Sequence, residues 1–166
     1  MSDVSSSKFR ELLGRFATGV TILTARDAAG RAWGMTASAI ASVSLQPPLL
    51  LVCVDRAREV HPVLEQSGHF GLTILAAHQE TLSRRFAELE SGRFDGVPHH
   101  AGPHGVPLVD GGAAHIVCAR EAAVPAGDHT IFLGRVVDGD ATDLAPLLYY
   151  RGGYHPLGGG APREND

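Results

Sequence analysis

Apolar residues first fall into step at Phe9, Leu12, Leu13 and Phe16, the i, i+3, i+4, i+7 spacing of one helical face. That face opens after a serine run and stops near Gly19, so a short amphipathic helix is predicted there. The period then changes to two. "TGVTILTAR" (18–26) alternates, "WGMTASAIASVSL" (33–45) reads as one long strand rich in small residues, and "HFGLTIL" (69–75) as another. "PLLLVCV" (48–54) is apolar throughout, the pattern of a strand buried on both faces. Helical segments are predicted around Glu59 to Gln66 and around His78 to Leu89. In the second, Leu82, Phe86 and Leu89 share a face from which Arg84 and Arg85 project away.

Segment 91–112, "SGRFDGVPHHAGPHGVPLVDGG", predicts a long irregular loop of the kind that covers a ligand. "AAHIVCAREAAV" (113–124) and "HTIFLGRVVDG" (129–139) flank "PAGD" and predict a hairpin. The closing "PREND" is polar and expected to fray. The sum is a mainly β chain with flanking helices. Several strands are too apolar for a one-faced sheet, which favours a closed barrel with helices packed outside. A length of 166 residues suits one domain over 1–166, with the ordered core at about 8–157.

Composition narrows the partners. The formal net charge is −4 and no Lys/Arg block occurs, so the footprint of phosphate-backbone binding is missing and nucleic acid is not expected. No stretch reaches the roughly 20 apolar residues that span a bilayer, and the start lacks a signal-peptide core, so a cytoplasmic location away from membranes is expected. In that compartment Cys53 and Cys118, both in apolar runs, are expected reduced.

The usual dinucleotide, phosphate, hydrolase and thiol-redox motifs are absent: no G-x-G-x-x-G after a strand, no P-loop, no G-x-S-x-G and no C-x-x-C. His99, His100 and His104 form the densest histidine group. They sit in a Gly/Pro loop without a nearby Cys or carboxylate pair, so no metal is expected and solvated loop histidines are. In "PAGDHTIFLGRV" (125–136), alternation puts His129, Ile131, Leu133 and Arg135 on one side and Thr130, Phe132, Gly134 and Val136 on the other. Gly134 marks a bulge or a close backbone approach. For His129 two readings stand on this stretch alone: the rim of a turn, or a functional group. Thr36, Ser38, Ser42 and Ser44 share one parity, which is either a row of hydroxyls beneath a planar ligand or a solvated edge face.

Taken together, "FRELLGRFATGVTILTA", "GMTASAIASVSLQPPLLLVCVD", "HFGLTIL", "LSRRFAE", "FDGV", "GVPLV", "GDHTIFLGRV" and "PLLYYRGGYHPL" resemble, in order and spacing, the flavin reductase family with the FMN-binding split-barrel fold. These are the short reductases of two-component flavin monooxygenases. The resemblance implies hydride transfer from NADH or NADPH to FMN or FAD, a homodimer, and delivery of reduced flavin to a separate oxygenase. It implies that Met35, Thr36, Ala37 and Ser38 line the flavin, with Trp33 nearby and Ser42, Val43 and Ser44 adding contacts. Cys53, Val54 and Asp55 would bring backbone groups to the polar edge of the ring. Arg85 and Phe86, with Arg84 beside them, would meet the phosphate. Gly127, Asp128 and His129 match the family's "GDH", placing His129 against the nicotinamide as the one catalytic candidate, with Tyr150, Arg151 and Gly152 on the same side. Ala57 and Val60 offer no hydroxyl where relatives often show Ser and Thr, so Arg56 or Arg58 would hold the phosphate instead. Thr73 stands where Asn is frequent, and Ala39 where a second Ser is. Two other readings remain: a non-catalytic flavin or haem carrier on the same barrel, and an enzyme that keeps its flavin as a prosthetic group.

Overall fold

Ser5 caps the first helix, its hydroxyl accepting from the Lys8 amide at 3.2 Å. The computed structural model describes residues 3–88 and 92–158. In chain order the elements are α1 (Ser6–Leu13), β1 (Thr18–Gly19), β2 (Thr21–Arg26), β3 (Ala32–Ala37), β4 (Ile40–Leu45), β5 (Pro48–Asp55), α2 (Val60–Gln66), β6 (His69–Ile74) and α3 (Glu80–Glu88). There follow β7 (His99–Ala101), a 3₁₀ turn at Pro103–Gly105, β8 (Pro107–Val109), β9 (Ala114–Ala126), β10 (His129–Ala141), β11 (Leu148–Tyr150) and β12 (Gly153–His155).

Seven strands form one antiparallel sheet in the order β3-β2-β6-β9-β10-β5-β4. Its two edge strands, β3 and β4, are consecutive in sequence, so the sheet must curl until its edges meet at Ser38 and Ala39. The predicted single strand 33–45 is therefore two strands at opposite edges. At the corner the Ile40 amide bonds Ser38 O and the Cys53 amide bonds Ala39 O, each at 3.0 Å. No ladder joins β3 to β4, so the barrel is left open along that seam rather than closed.

The core inside the curl is built from Leu23, Val52, Val54, Phe70, Leu72 and Phe132, closed on one side by Leu64 of α2. A second cluster, including Ile22, Leu75 and Phe86, seats α3. In β5 only Leu50, Val52 and Val54 are buried while Leu49, Leu51 and Cys53 are half-buried. The expectation of burial on both faces is thus corrected: among the described residues the outer face is only half-buried.

The same holds for α1. It stops at Leu13, earlier than predicted, buries no residue, and leaves Phe9, Leu12, Leu13 and the following Phe16 at least half exposed. Of the predicted loop 91–112, residues 92–112 are described and are more regular than predicted, because β7 and β8 pair and Leu108 and Val109 are buried. Its histidines are exposed, as expected, and each also has a partner: His99 Nδ1 lies 2.7 Å from Val97 O, His100 Nδ1 2.6 Å from Asp110, and His104 stacks on His69 at 3.8 Å. The Leu89 position and the "PREND" tail lie outside the described residues.

Burial also sets the cysteine chemistry. Cys118 is fully buried and its thiol is pushed up to about 12, while that of half-buried Cys53 is raised less far, again by burial. A maleimide dye is expected to label native protein slowly at Cys53 and to reach Cys118 only on unfolding. Rapid labelling of both thiols would show that β9 opens in the native state.

Candidate functional site

The corner between β3 and β4 leaves a cavity of about 220 Å³. Val20 and Met35 supply apolar wall, and Phe86 and Ala87 of α3 supply another. Tyr149 and Tyr154 close it from the β11–β12 hairpin, where they are cross-strand partners with rings 5.3 Å apart, edge to face. The polar groups at the rim are Thr36, Ser38 and Arg58.

Hydrogen bonds hold these walls in register. The Thr36 hydroxyl donates to Ser83 O at 2.6 Å, joining β3 to α3. The fully buried Ser83 hydroxyl lies 2.8 Å from the Tyr154 hydroxyl, and the Arg84 guanidinium covers the Tyr154 ring at 4.9 Å while bonding Glu80 at 2.8 Å. Tyr154 is thereby locked from its edge and from one face.

His129 of β10 stands opposite Asp55 at the end of β5. The turn between β9 and β10 is Gly127–Asp128, and Gly127 takes the positive φ of +64° that favours glycine. Arg56 clamps that turn twice, its amide bonding Asp128 O at 3.1 Å and its guanidinium bonding Gly127 O. His129 Nδ1 meets Asp128 Oδ1 at 2.7 Å. This hydrogen bond, then the histidine's charge and Arg56, hold Asp128 below the usual carboxylate range. Behind it, buried Thr130 bonds His61 of α2 at 2.8 Å. The chain thus runs from the clamp at Arg56 to the cavity rim at Arg58 within two residues.

The resemblance-derived residues separate into groups. Met35, Thr36, Ser38, Arg58 and Phe86 come together at the cavity, whereas Ala37 and Val54 point into the core. His129 lies on the barrel's outer face, half exposed, with Cys53 and Ile131 facing the same way in register. Trp33 does not line the cavity, although it shares strand parity with Met35; its indole N–H donates to Asp27 at 3.0 Å. A bulge at Val43 breaks the parity of Ser42 and Ser44, and the Ser44 hydroxyl accepts from the Gln46 amide. The four-hydroxyl row therefore does not form. Arg85 donates to the carbonyls of Gly92, Arg93 and Asp95 at 2.9, 2.8 and 2.5 Å, so its guanidinium secures that loop instead of facing the cavity. The Asp55 carboxylate accepts from the Ala57 amide at 2.9 Å. Tyr150 turns away towards His155, and Arg151 and Gly152 form the hairpin tip, where the Arg151 amide bonds Gly14 O. Sequence reasoning passed over Tyr149, Tyr154 and Ser83; only the strand parity of "YYRGGY" signals the first two.

Residues 13–158 match the flavin reductase like domain. The chain belongs to the flavin reductase family. The FMN reductase (NADH) SmoA of Agrobacterium fabrum is 40% identical over 151 residues, covering 90% of this chain and 85% of that protein. A probable flavin reductase and the stachydrine N-demethylase reductase subunit Stc3, both of Rhizobium meliloti, are each 41% identical over 145 residues. The chain spans 47% and 63% of their respective lengths. Among solved structures, the NADH:FAD oxidoreductase SgcE6 of Streptomyces globisporus, in complex with NAD and FAD fragments, superposes with a TM-score of 0.88 at 34% identity, over 97% of this chain and 100% of that one.

The residues at the cavity fit the flavin of this flavin reductase family. Flat aromatic and apolar walls suit a planar ring, and Ser38 offers a hydroxyl to its polar edge. Arg58 brings a guanidinium to the rim, the group able to meet phosphate where Ala57 and Val60 cannot. Thr73 is buried, its hydroxyl oxygen accepts from the Val109 amide at 3.1 Å, and it has no part in the cavity.

Proposed function

We propose that this chain is an NAD(P)H-dependent reductase of FMN or FAD that delivers reduced flavin to a separate oxygenase component. The observation that carries the reading is the cavity at the β3–β4 corner, which sets together an aromatic slot, hydroxyls and the Arg58 guanidinium, two residues along the chain from the Arg56 clamp on the Gly127–Asp128–His129 turn. When bound, the flavin supplies the chemistry by accepting hydride from the reduced nicotinamide.

The chain's own task is to hold two rings face to face and keep water out. Met35, Phe86 and the two tyrosines grip the flavin. Ser38 fixes its edge and Arg58 its phosphate. Arg84 leaves phosphate binding to Arg58, because its charge is already shared between Glu80 and the Tyr154 ring. His129 holds the nicotinamide: with Nδ1 bonded to Asp128, Nε2 remains for the carboxamide or phosphates of the incoming nucleotide. Asp55 and the cysteine face complete that wall.

We further read the protein as a homodimer in the cytoplasm. The half-buried outer face of β5 and β10 and the exposed apolar side of α1 supply the surface a second copy would cover, and His129 stands at the border of that face.

The test is absorbance at the reduced-nicotinamide band with NADH or NADPH and no flavin, FMN or FAD. Oxidation only with added flavin supports the proposal and ranks both substrates. Flavin retained through gel filtration with ping-pong kinetics would favour a prosthetic group. A coloured protein with no oxidation in any combination would favour the carrier.

A further inference from the structure

Ser83 of α3 is fully buried and does not itself line the flavin cavity, yet it holds two residues that do. Its carbonyl accepts from the Thr36 hydroxyl at 2.6 Å, and its own hydroxyl lies 2.8 Å from the Tyr154 hydroxyl. One helical residue thus ties β3 and β12 together behind the cavity wall.

The protons decide which hydroxyl gives in the Ser83–Tyr154 pair. Tyr154 Oη is the one hydrogen-bond partner of Ser83 Oγ among the described residues. Had Tyr154 given its proton, the Ser83 proton would be left buried without an acceptor, a cost that folded interiors avoid. Ser83 therefore donates and Tyr154 accepts. The Tyr154 proton is then free for a ligand, and Tyr154 lines the cavity. The Arg84 guanidinium over its ring at 4.9 Å and the Tyr149 ring, edge to face at 5.3 Å, keep the phenol from swinging away. Thr36 has the opposite character: its proton is spent on Ser83 O, so its hydroxyl has only lone pairs to offer.

We propose that Ser83 is a positioning residue for flavin binding, which presents Tyr154 to the cavity as a hydrogen-bond donor and Thr36 as an acceptor. This rests on the flavin reductase reading above. A donor and an acceptor set side by side suit the polar edge of the flavin ring, where carbonyl oxygens flank an N–H. The Ser83 hydroxyl acts only through Tyr154, whereas Thr36 is held by the backbone carbonyl and keeps its bond in Ser83→Ala.

The experiment is a double-mutant cycle in the full chain, titrating FMN fluorescence with the parent, Ser83→Ala, Tyr154→Phe and the double variant in the absence of nicotinamide. The Kd for FMN is expected to rise about 3–10-fold in each single variant, the loss of one neutral hydrogen bond. In the double variant it should rise no further than in Tyr154→Phe, because the two changes remove the same bond. With NADH added, the KM for FMN should rise by a similar factor while kcat stays within about twofold. Additive losses in the double variant would mean a merely structural serine and overturn the proposal, as would parental FMN affinity in either single variant. Should Ser83→Ala fail to fold, Tyr154→Phe decides alone: weaker FMN binding supports the donor and unchanged binding overturns it. FMN binding with no NADH oxidation would sink the reductase reading and leave the cycle intact. A parent that binds no FMN overturns the proposal.

Discussion

His129→Ala is expected to lower kcat/KM for NADH by about 10–100-fold while leaving FMN affinity close to the parent's, the signature of a lost positioning contact. The geometry behind this is a rigid pedestal. Asp128 bonds one ring nitrogen, Arg56 ties the turn down through Asp128 O and Gly127 O, and Thr130 and His61 anchor the next residue in the core. Each of these contacts fixes the imidazole without occupying both nitrogens. His129 is itself half exposed, so its removal leaves no cavity and thermal stability should barely move. His129→Asn keeps a side-chain donor and should restore part of the rate. Steady-state kinetics with FMN as acceptor decide the matter: a kcat/KM unchanged within about twofold would reduce His129 to the rim of a turn.

Gly134→Ala is expected to destabilise the fold by about 1–3 kcal/mol, the usual cost of overpacking a core. A Cβ at this position would sit 2.4 Å from Phe70 Cζ and 2.7 Å from Cys118 Cβ, neither of which can retreat, since both residues are buried in the main cluster. The ladder between β9 and β10 shifts register at Leu133/Gly134, so the glycine marks both a bulge and a close approach. Urea unfolding should show a lower midpoint with an unchanged slope. A variant as stable as the parent would mean that Phe70 repacks, and the tight approach would carry no cost.

Much of the fold was legible. The two-residue period of "HTIFLGRV" correctly put Thr130, Phe132 and Gly134 on the face opposite His129, because side-chain alternation is a property of any extended backbone; that the first set turns inward is the structure's finding. The break at Ser38–Ala39 was not legible. Small residues suit a strand and a sharp corner equally, and the corner exists only because the sheet's two edges must meet there.

Among site residues the same divide holds. Met35, Thr36, Ser38 and Phe86 could be named from their motifs, and the cavity brings them together. Arg85 could not be told from Arg84 by its neighbours. One arginine covers a tyrosine and the other holds a loop, and the difference lies in the loop carbonyls at 92–95. Tyr149 and Tyr154 reach the cavity while Tyr150 turns away, a choice made by the register of β11 on β12.

The sequence by itself determined the mainly β pattern, the alternation of side chains along 129–136, and the family to which the chain belongs, since these follow from local backbone geometry and ordered motifs. Only the tertiary structure decided which side chains share a cavity and which arginines keep free donors. Those depend on how the sheet closes and which backbone carbonyls it brings within hydrogen-bond reach, distances that no spacing along the chain encodes.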